Sequence, residues 1–252
     1  MAASATTAAR TTVLDVPVHL GDVQQEALAL HAAGGGQIVT LNAEMTMAAL
    51  AEPALGQAIA AADLVIPDGA GIVWALGRQG HRVRRTPGIE LARWLLDQAQ
   101  QRQWRVALVG GSPAVMQQLR QRLQQELPGL DVVLAEHGYQ EAGTWPALEH
   151  QLLTLQPDLV LVALGVPRQE TWIQGLAARR EGLPCRRGLW MGVGGSFDVW
   201  SGQKKRAPGW MGALQIEWLY RLLQEPHRWR RMLALPAFFR AVLREERRRG
   251  RG

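Results

Sequence analysis

The sequence predicts an α/β protein with a doubly wound, mostly parallel sheet, helices on both faces (Rossmann-like) and a C-terminal helical appendage. Three observations predict it. Short apolar runs at residues 37–41, 63–66, 104–109, 131–135, 158–164 and 188–193 alternate with longer helical stretches. No hairpin signal joins those runs, and residues 158–164 are almost continuously apolar, as in a strand covered on both faces.

In order along the chain, Asp22 is placed to cap a helix over residues 23–33, which Gly34-Gly35-Gly36 ends before the strand 37–41. Asn42 opens another helix, and the Ala-rich residues 54–62 lead into the strand 63–66. Pro67 cannot continue a ladder, so the chain turns there and leaves Asp68 just past a strand's carboxyl end. Gly69 and Gly71 permit close approach before the helical pattern 72–76. Residues 89–101 form an amphipathic helix with Leu91, Trp94 and Leu95 on one side. The strand 104–109 runs into Gly110-Gly111-Ser112-Pro113 and a Gln-rich helix to Leu127. The strand 131–135, a helix over 144–155, and the strands 158–164 and 188–193 follow.

Residues 1–12 are Ala/Thr-rich, lack the apolar run of a secretory signal and read as a disordered arm; residues 13–200 are the α/β core. At Ser201 the composition changes, and residues 201–252 form a basic, aromatic-rich appendage with helices at 210–223 and 227–244 separated by Pro226. In 252 residues, 47% hydrophobic and 20% charged composition suits a soluble domain with a sizeable core, and no apolar run reaches the roughly 20 residues of a membrane-spanning helix. The single cysteine, Cys185, excludes an internal disulfide and reads as structural. The net charge of +6 is uneven: residues 200–252 hold 13 Lys and Arg against 4 Asp and Glu, a net +9, which leaves −3 for the rest. Such a tail suits a polyanion, whether an anionic membrane surface, nucleic acid or a phosphorylated substrate.

Five of the strands are followed by small or polar residues, and in a parallel sheet those loops share the edge where ligands bind. Asp68 either caps the next helix or serves that edge. Gly111 and Ser112 open a helix whose free N–H groups would suit a phosphate, or else the glycines merely permit a tight turn; Gly195 and Asp198 occupy the corresponding loop after the last strand. Missing signatures narrow the chemistry: there is no G-x-G-x-x-G, no P-loop, no nucleophile elbow and no His or Cys metal spacing. No cofactor is implied. Without a D-x-D to hold Mg²⁺, a nucleotide diphosphate would be neutralised by Arg85, Arg168, the tail and helix N-termini.

Thr40-Leu41-Asn42, Ile66-Pro67-Asp68-Gly69, Arg85-Thr86-Pro87-Gly88, Gly165-Val166-Pro167-Arg168-Gln169-Glu170, Gly194-Gly195-Ser196-Phe197-Asp198, and Glu217-Trp218-Leu219-Tyr220-Arg221 with Glu225-Pro226 occur in that order. Together they resemble the WecG/TagA/CpsF family, glycosyltransferase family 26, from about residue 13 to 240. The resemblance implies a metal-independent, inverting hexosyltransferase moving a sugar from a UDP-sugar donor to a polyprenyl-diphosphate-linked saccharide in cell-envelope polysaccharide or teichoic acid synthesis. It would act in the cytoplasm, peripherally on the inner face of the membrane. It also implies roles: Asp68 as general base, Thr40 and Asn42 in the sugar pocket, Arg85 and Gln169 at the active site, and Arg221, Arg228 and Arg231 on the diphosphate. N-acetylmannosamine, its uronic acid and glucose all stay open as donor sugar, and a uronic acid would want an extra cation such as Arg84, Arg85 or Arg168.

Those residue types suit the chemistry. Direct displacement needs one carboxylate to take the acceptor hydroxyl's proton, and no general acid, because the leaving group is UDP. The tail's basic helices carry Trp210, Trp218, Trp229, Phe238 and Phe239, which suit either a membrane interface or packing on the core. Homo-oligomer formation is left open. A UDP-sugar binding or isomerising enzyme would use the same sheet edge without a lipid acceptor. A nucleic-acid module would explain the tail but not the five loops, so no nucleic acid partner is expected.

Overall fold

The computed structural model describes residues 9–178, 188–208, 211, 220, 229 and 233–249. Six strands form one parallel sheet in the order β4-β3-β8-β7-β5-β6: β3 (Gly36–Leu41), β4 (Leu64–Pro67), β5 (Arg105–Gly110), β6 (Asp131–Glu136), β7 (Leu159–Ala163) and β8 (Leu189–Gly192). The α/β architecture expected from the sequence is therefore present. Alternate residues of each strand serve opposite faces. Ile38, Ile66, Val106, Leu108 and Met191 pack against α1 (Val23–Ala32), α5 (Gly88–Arg102) and α6 (Pro113–Glu126). On the other face Val39, Leu41 and Val65 meet α2 (Ala43–Ala51), α3 (Pro53–Ala60) and α4 (Ala70–Arg78), while Ala107, Val109, Val160 and Val162 meet α7 (Trp145–Leu155) and α8 (Arg168–Ala178).

The helix starts follow their capping residues. The Asp22 carboxylate accepts from the Gln24 and Gln25 N–H groups at 3.0 Å, Asn42 Oδ1 from Met45 N–H at 2.9 Å, and Ser112 Oγ from Val115 N–H at 3.2 Å. The amino edge of the sheet is sealed by side chains: His31 stacks on Trp104 at 3.9 Å, and Asp63 and Asp158 accept from the Gln37 and Arg105 N–H groups at 2.7 and 2.9 Å.

Four features differ from the sequence expectation. First, a hairpin precedes the sheet: β1 (Arg10–Val13) pairs antiparallel with β2 (Val16–His19), so order reaches into the segment assigned to the arm, of which residues 1–8 lie outside the described residues. Its turn residues, Leu14 and Asp15, have φ of 53° and 64°. Glycine or asparagine usually occupies such a turn, so the pair carries no hairpin signal; Leu14 is buried among Val13, Val16 and Val18. Second, Pro67 is the last residue of β4, which tolerates it because β4 is an outer strand of the sheet. The Val65 N–H donates to His19 Nδ1 at 2.9 Å, and burial holds that imidazole below the usual histidine range. Third, α8 and the short α9 (Ser196–Trp200) begin inside motifs read as loops.

Fourth, the helix expected at 227–244 is found as α10 (Ala234–Arg249), and of the two surfaces left open for its aromatics it packs them on the core. Phe238 is fully buried, Phe239 meets Trp74 edge-on at 4.7 Å, and Arg78 pairs with Glu246 at 2.7 Å. A Cβ on Gly71 would stand 3.1 Å from Ala43 Cβ and 3.4 Å from Phe238, so this glycine admits a helix and a phenyl ring. The expected helix at 210–223, like Cys185, Trp210, Trp218, Arg221, Arg228 and Arg231, lies outside the described residues apart from Met211 and Tyr220.

Candidate active site

A cleft of about 640 Å³ opens where the strand order switches, beyond the carboxyl ends of β4, β3, β8 and β7. It gathers Thr40, Asn42, Asp68, Gln169 and Gly195 from the sequence candidates. Each arrives by a short path: Thr40 is the penultimate residue of β3, Asn42 caps α2, and Asp68 directly follows β4.

Asp68 does not cap α4, whose N-cap is Gly69 with no side-chain bond. Instead the segment 85–88 is strapped over the end of β4. Arg85 Nε donates to the Asp68 carbonyl at 3.2 Å, Thr86 N–H to the Pro67 carbonyl at 3.1 Å, and Gly88 N–H to Asp68 Oδ1 at 3.1 Å. The Asp68 side chain is thus oriented from the N-terminus of α5, where a carboxylate is favoured by the free N–H groups and the helix dipole. Gly88 is needed for this: a Cβ there would come within 2.7 Å of Thr40 Cγ2.

Gln169 is buried and joins two loops. Its Oε1 accepts from Gly165 N–H at 3.2 Å and Gly194 N–H at 3.1 Å, bridging the ends of β7 and β8. Its Nε2 donates to Glu170 Oε1 at 2.7 Å, which fixes the amide orientation. A Cβ on Gly192 would lie 2.5 Å from Gln169 Nε2, so the bare strand end makes the room. Glu170 is only 2% exposed, its Oε2 has no hydrogen-bond partner among the described residues, and burial raises its carboxyl to about 7.

Other candidates stand apart. Gly111 and Ser112 do not line the cleft: Gly111 N–H donates to the Ala163 carbonyl at 3.0 Å, Gly138 N–H to the Gly111 carbonyl at 2.8 Å, and Ser112 is spent on capping α6. The Gly111 N–H and carbonyl and the Ser112 hydroxyl thus bond within the protein, and the turn stands outside the cleft that holds Asp68. Arg168 leans over Trp145 at 4.8 Å rather than lining the cleft, and the Asp198 carboxylate lies 3.7 Å from Lys204. Sequence reasoning passed over Glu44 and Glu52 and took in Lys204, Lys205 and Arg206 only as part of the basic tail; all five line the cleft. The basic triplet was legible as a composition change, but nothing in its spacing tied it to the strand ends.

The arrangement offers the Asp68 carboxylate at a strand end, with Glu44 and Glu52 elsewhere on the lining, beside hydrogen-bonding groups and cations, a set suited to deprotonating a hydroxyl near an anionic leaving group. The family model described as "Glycosyl transferase WecG/TagA/CpsF family" matches residues 11–252. The chain is 37% identical over 214 residues, 84% of it and 80% of the relative, to a protein of Bacillus spizizenii named N-acetylglucosaminyldiphosphoundecaprenol N-acetyl-beta-D-mannosaminyltransferase. Proteins of the same name from Bacillus subtilis (strain 168) and Staphylococcus aureus (strain MW2) are 35% and 33% identical, over 84% and 83% of this chain and 80% of each relative. A strand-end cleft with Asp68 at its edge and matches of this extent make the chain a member of the WecG/TagA/CpsF family of glycosyltransferases.

Proposed function

We propose that this glycosyltransferase moves N-acetylmannosamine from a UDP-linked donor to N-acetylglucosamine on a polyprenyl diphosphate, with inversion and without metal. The observation that carries the reading is the placement of Asp68 in one cleft with Thr40, Asn42 and Gln169. The acceptor hydroxyl oxygen forms a bond to the anomeric carbon as the bond from that carbon to the UDP oxygen breaks. The hydroxyl proton passes to the Asp68 carboxylate, and UDP leaves with the bonding electrons. The sugar and the acceptor are supported by the relatives named N-acetylglucosaminyldiphosphoundecaprenol N-acetyl-beta-D-mannosaminyltransferase.

The chain works at an anionic membrane surface in this reading, from the cytoplasmic side. No helix among the described residues is long and apolar enough to cross a membrane. The exposed side of α10 combines Leu243 with Arg240, Arg244 and Arg247, next to the exposed Leu233. Because Phe238 belongs to the core, removing the tail would damage the fold, and charge reversal at Arg240, Arg244 and Arg247 is the cleaner probe of vesicle binding.

The test is incubation with a panel of UDP-sugars and N-acetylglucosamine on a polyprenyl diphosphate, followed by mass analysis. The expected product gains one N-acetylhexosamine from UDP-N-acetylmannosamine. Turnover of the donor alone, with unchanged lipid, would instead favour an isomerising or hydrolytic enzyme.

A further inference from the structure

We propose that Lys204, Lys205 and Arg206 form a diphosphate-binding lip on the active-site cleft. The inference rests on the reading that the cleft takes a diphosphate sugar, and it narrows the basic tail's share of that group's charge to three named residues. All three line the cleft that contains Asp68, and no other Lys or Arg among the described residues does.

The fold builds the lip rather than leaving it loose. After α9 the backbone closes on itself: Ser201 N–H donates to the Phe197 carbonyl at 2.8 Å, Gly202 N–H to the Val199 carbonyl at 3.0 Å, and Lys204 N–H to the Asp198 carbonyl at 2.9 Å. Gly202 has φ of 81°, which lets the chain reverse there. Arg206 then pairs with Glu90 in the first turn of α5. That same turn supplies the Gly88 N–H that holds Asp68, so lip and base are positioned from one helix end.

Both signs of charge line the cleft: Glu44, on α2, and Glu52, directly after it, contribute carboxylates, whereas residues 204–206 contribute three cations. A diphosphate is repelled by the carboxylates and drawn to the cations, whereas sugar hydroxyl and amide donors have the opposite preference. Two of the pairs these cations make are open to exchange. Lys204 with Asp198 at 3.7 Å, and Arg206 with Glu90, are half-exposed ion pairs of the kind that contributes little and exchanges readily. As the anomeric bond breaks, negative charge grows on the departing phosphate, and cations at that place lower the barrier.

Donor and acceptor both carry a diphosphate, so the experiment has two arms. The full-length protein and the K204A/K205A variant are titrated calorimetrically with UDP, uridine and inorganic pyrophosphate, and separately with a soluble short-chain prenyl-diphosphate N-acetylglucosamine. Losing two charge-assisted contacts is expected to weaken UDP and pyrophosphate at least about tenfold, leave uridine unchanged, and be restored by K204R/K205R. Loss confined to the prenyl diphosphate would keep the lip and assign it to the acceptor. Binding of every diphosphate within twofold of the parent, or an equal loss for uridine, overturns the proposal. A parent protein that transfers sugar while K204A/K205A binds normally refutes the lip and keeps the transferase; lip-dependent pyrophosphate binding in a protein that transfers nothing does the reverse.

Discussion

Three glycine-rich turns lie on the same sheet edge and have two different fates. After β5, Gly110 and Gly111 take φ of 123° and 68°, and their polar groups bond to Ala163 and Gly138 while Ser112 caps α6. After β7 and β8, Gly165 and Gly194 also take positive φ, of 78° and 49°, but line the cleft and are joined by a single buried amide, that of Gln169. Composition does not separate the two. Position in the strand order does: the β5 turn is hemmed in by its neighbours, whereas the β7 and β8 turns flank the switch beside β3, where the edge opens.

The contrast predicts a graded series of effects. On the cleft side, Asp68→Asn should lower kcat by roughly 10²–10⁴-fold while leaving the donor Kd nearly unchanged. Steady-state rates and calorimetric binding check this, and near-normal turnover would remove Asp68 from the chemistry. Gln169→Ala should strand the Gly165 and Gly194 N–H groups, costing about 1–3 kcal/mol for each donor left unsatisfied. The loosened loops should also cost up to about 10²-fold in rate, read from urea unfolding and kcat together.

The neighbouring carboxyl makes that same clamp sensitive to pH. Folded Glu170 titrates near 7 against an ordinary 4.5, so between these values the folded state binds the extra proton. Stability is therefore full below about 4.5 and falls as pH rises to about 7, by about 3 kcal/mol. Glu170→Gln should flatten that part of the stability-against-pH curve, and an unchanged slope would assign it to another group. The smallest effect is on the β5 side. Ser112→Ala should lose about 1 kcal/mol of stability with its cap and leave the donor KM unchanged, whereas a raised KM would restore a phosphate role to that turn.

What was legible in the sequence follows from how local the causes are. Asp22, Asn42 and Ser112 cap helices through bonds two or three residues away, so a short window suffices to place those starts. The doubly covered strands announce themselves by continuous apolar character, as in β7. The hairpin does not, because Leu14 holds an unusual φ through tertiary burial, which no local pattern records. Phe238 and Phe239 were ambiguous for a related reason: a helix with basic and aromatic faces satisfies a lipid surface and a protein groove equally, and Gly71, far away in sequence, decides in favour of the groove. In the site, the motif residues could be ordered along the chain, but the strap from Gly88 to Asp68 and the basic lip depend on which strands are neighbours.

The imidazole of His19 has a consequence for the behaviour of many molecules rather than one. β4 is an outer strand, and β2 lies against it without joining its ladder, so the Val65 N–H would be an open invitation to a strand from another molecule. A neutral ring nitrogen answers that donor. Because burial holds the folded imidazole below its ordinary 6.5, the unfolded chain takes up a proton that the folded one resists, and stability is lost as pH falls through that value. Acidified solutions should therefore scatter more light as strand-to-strand association begins, at the border strand that leads directly to Asp68.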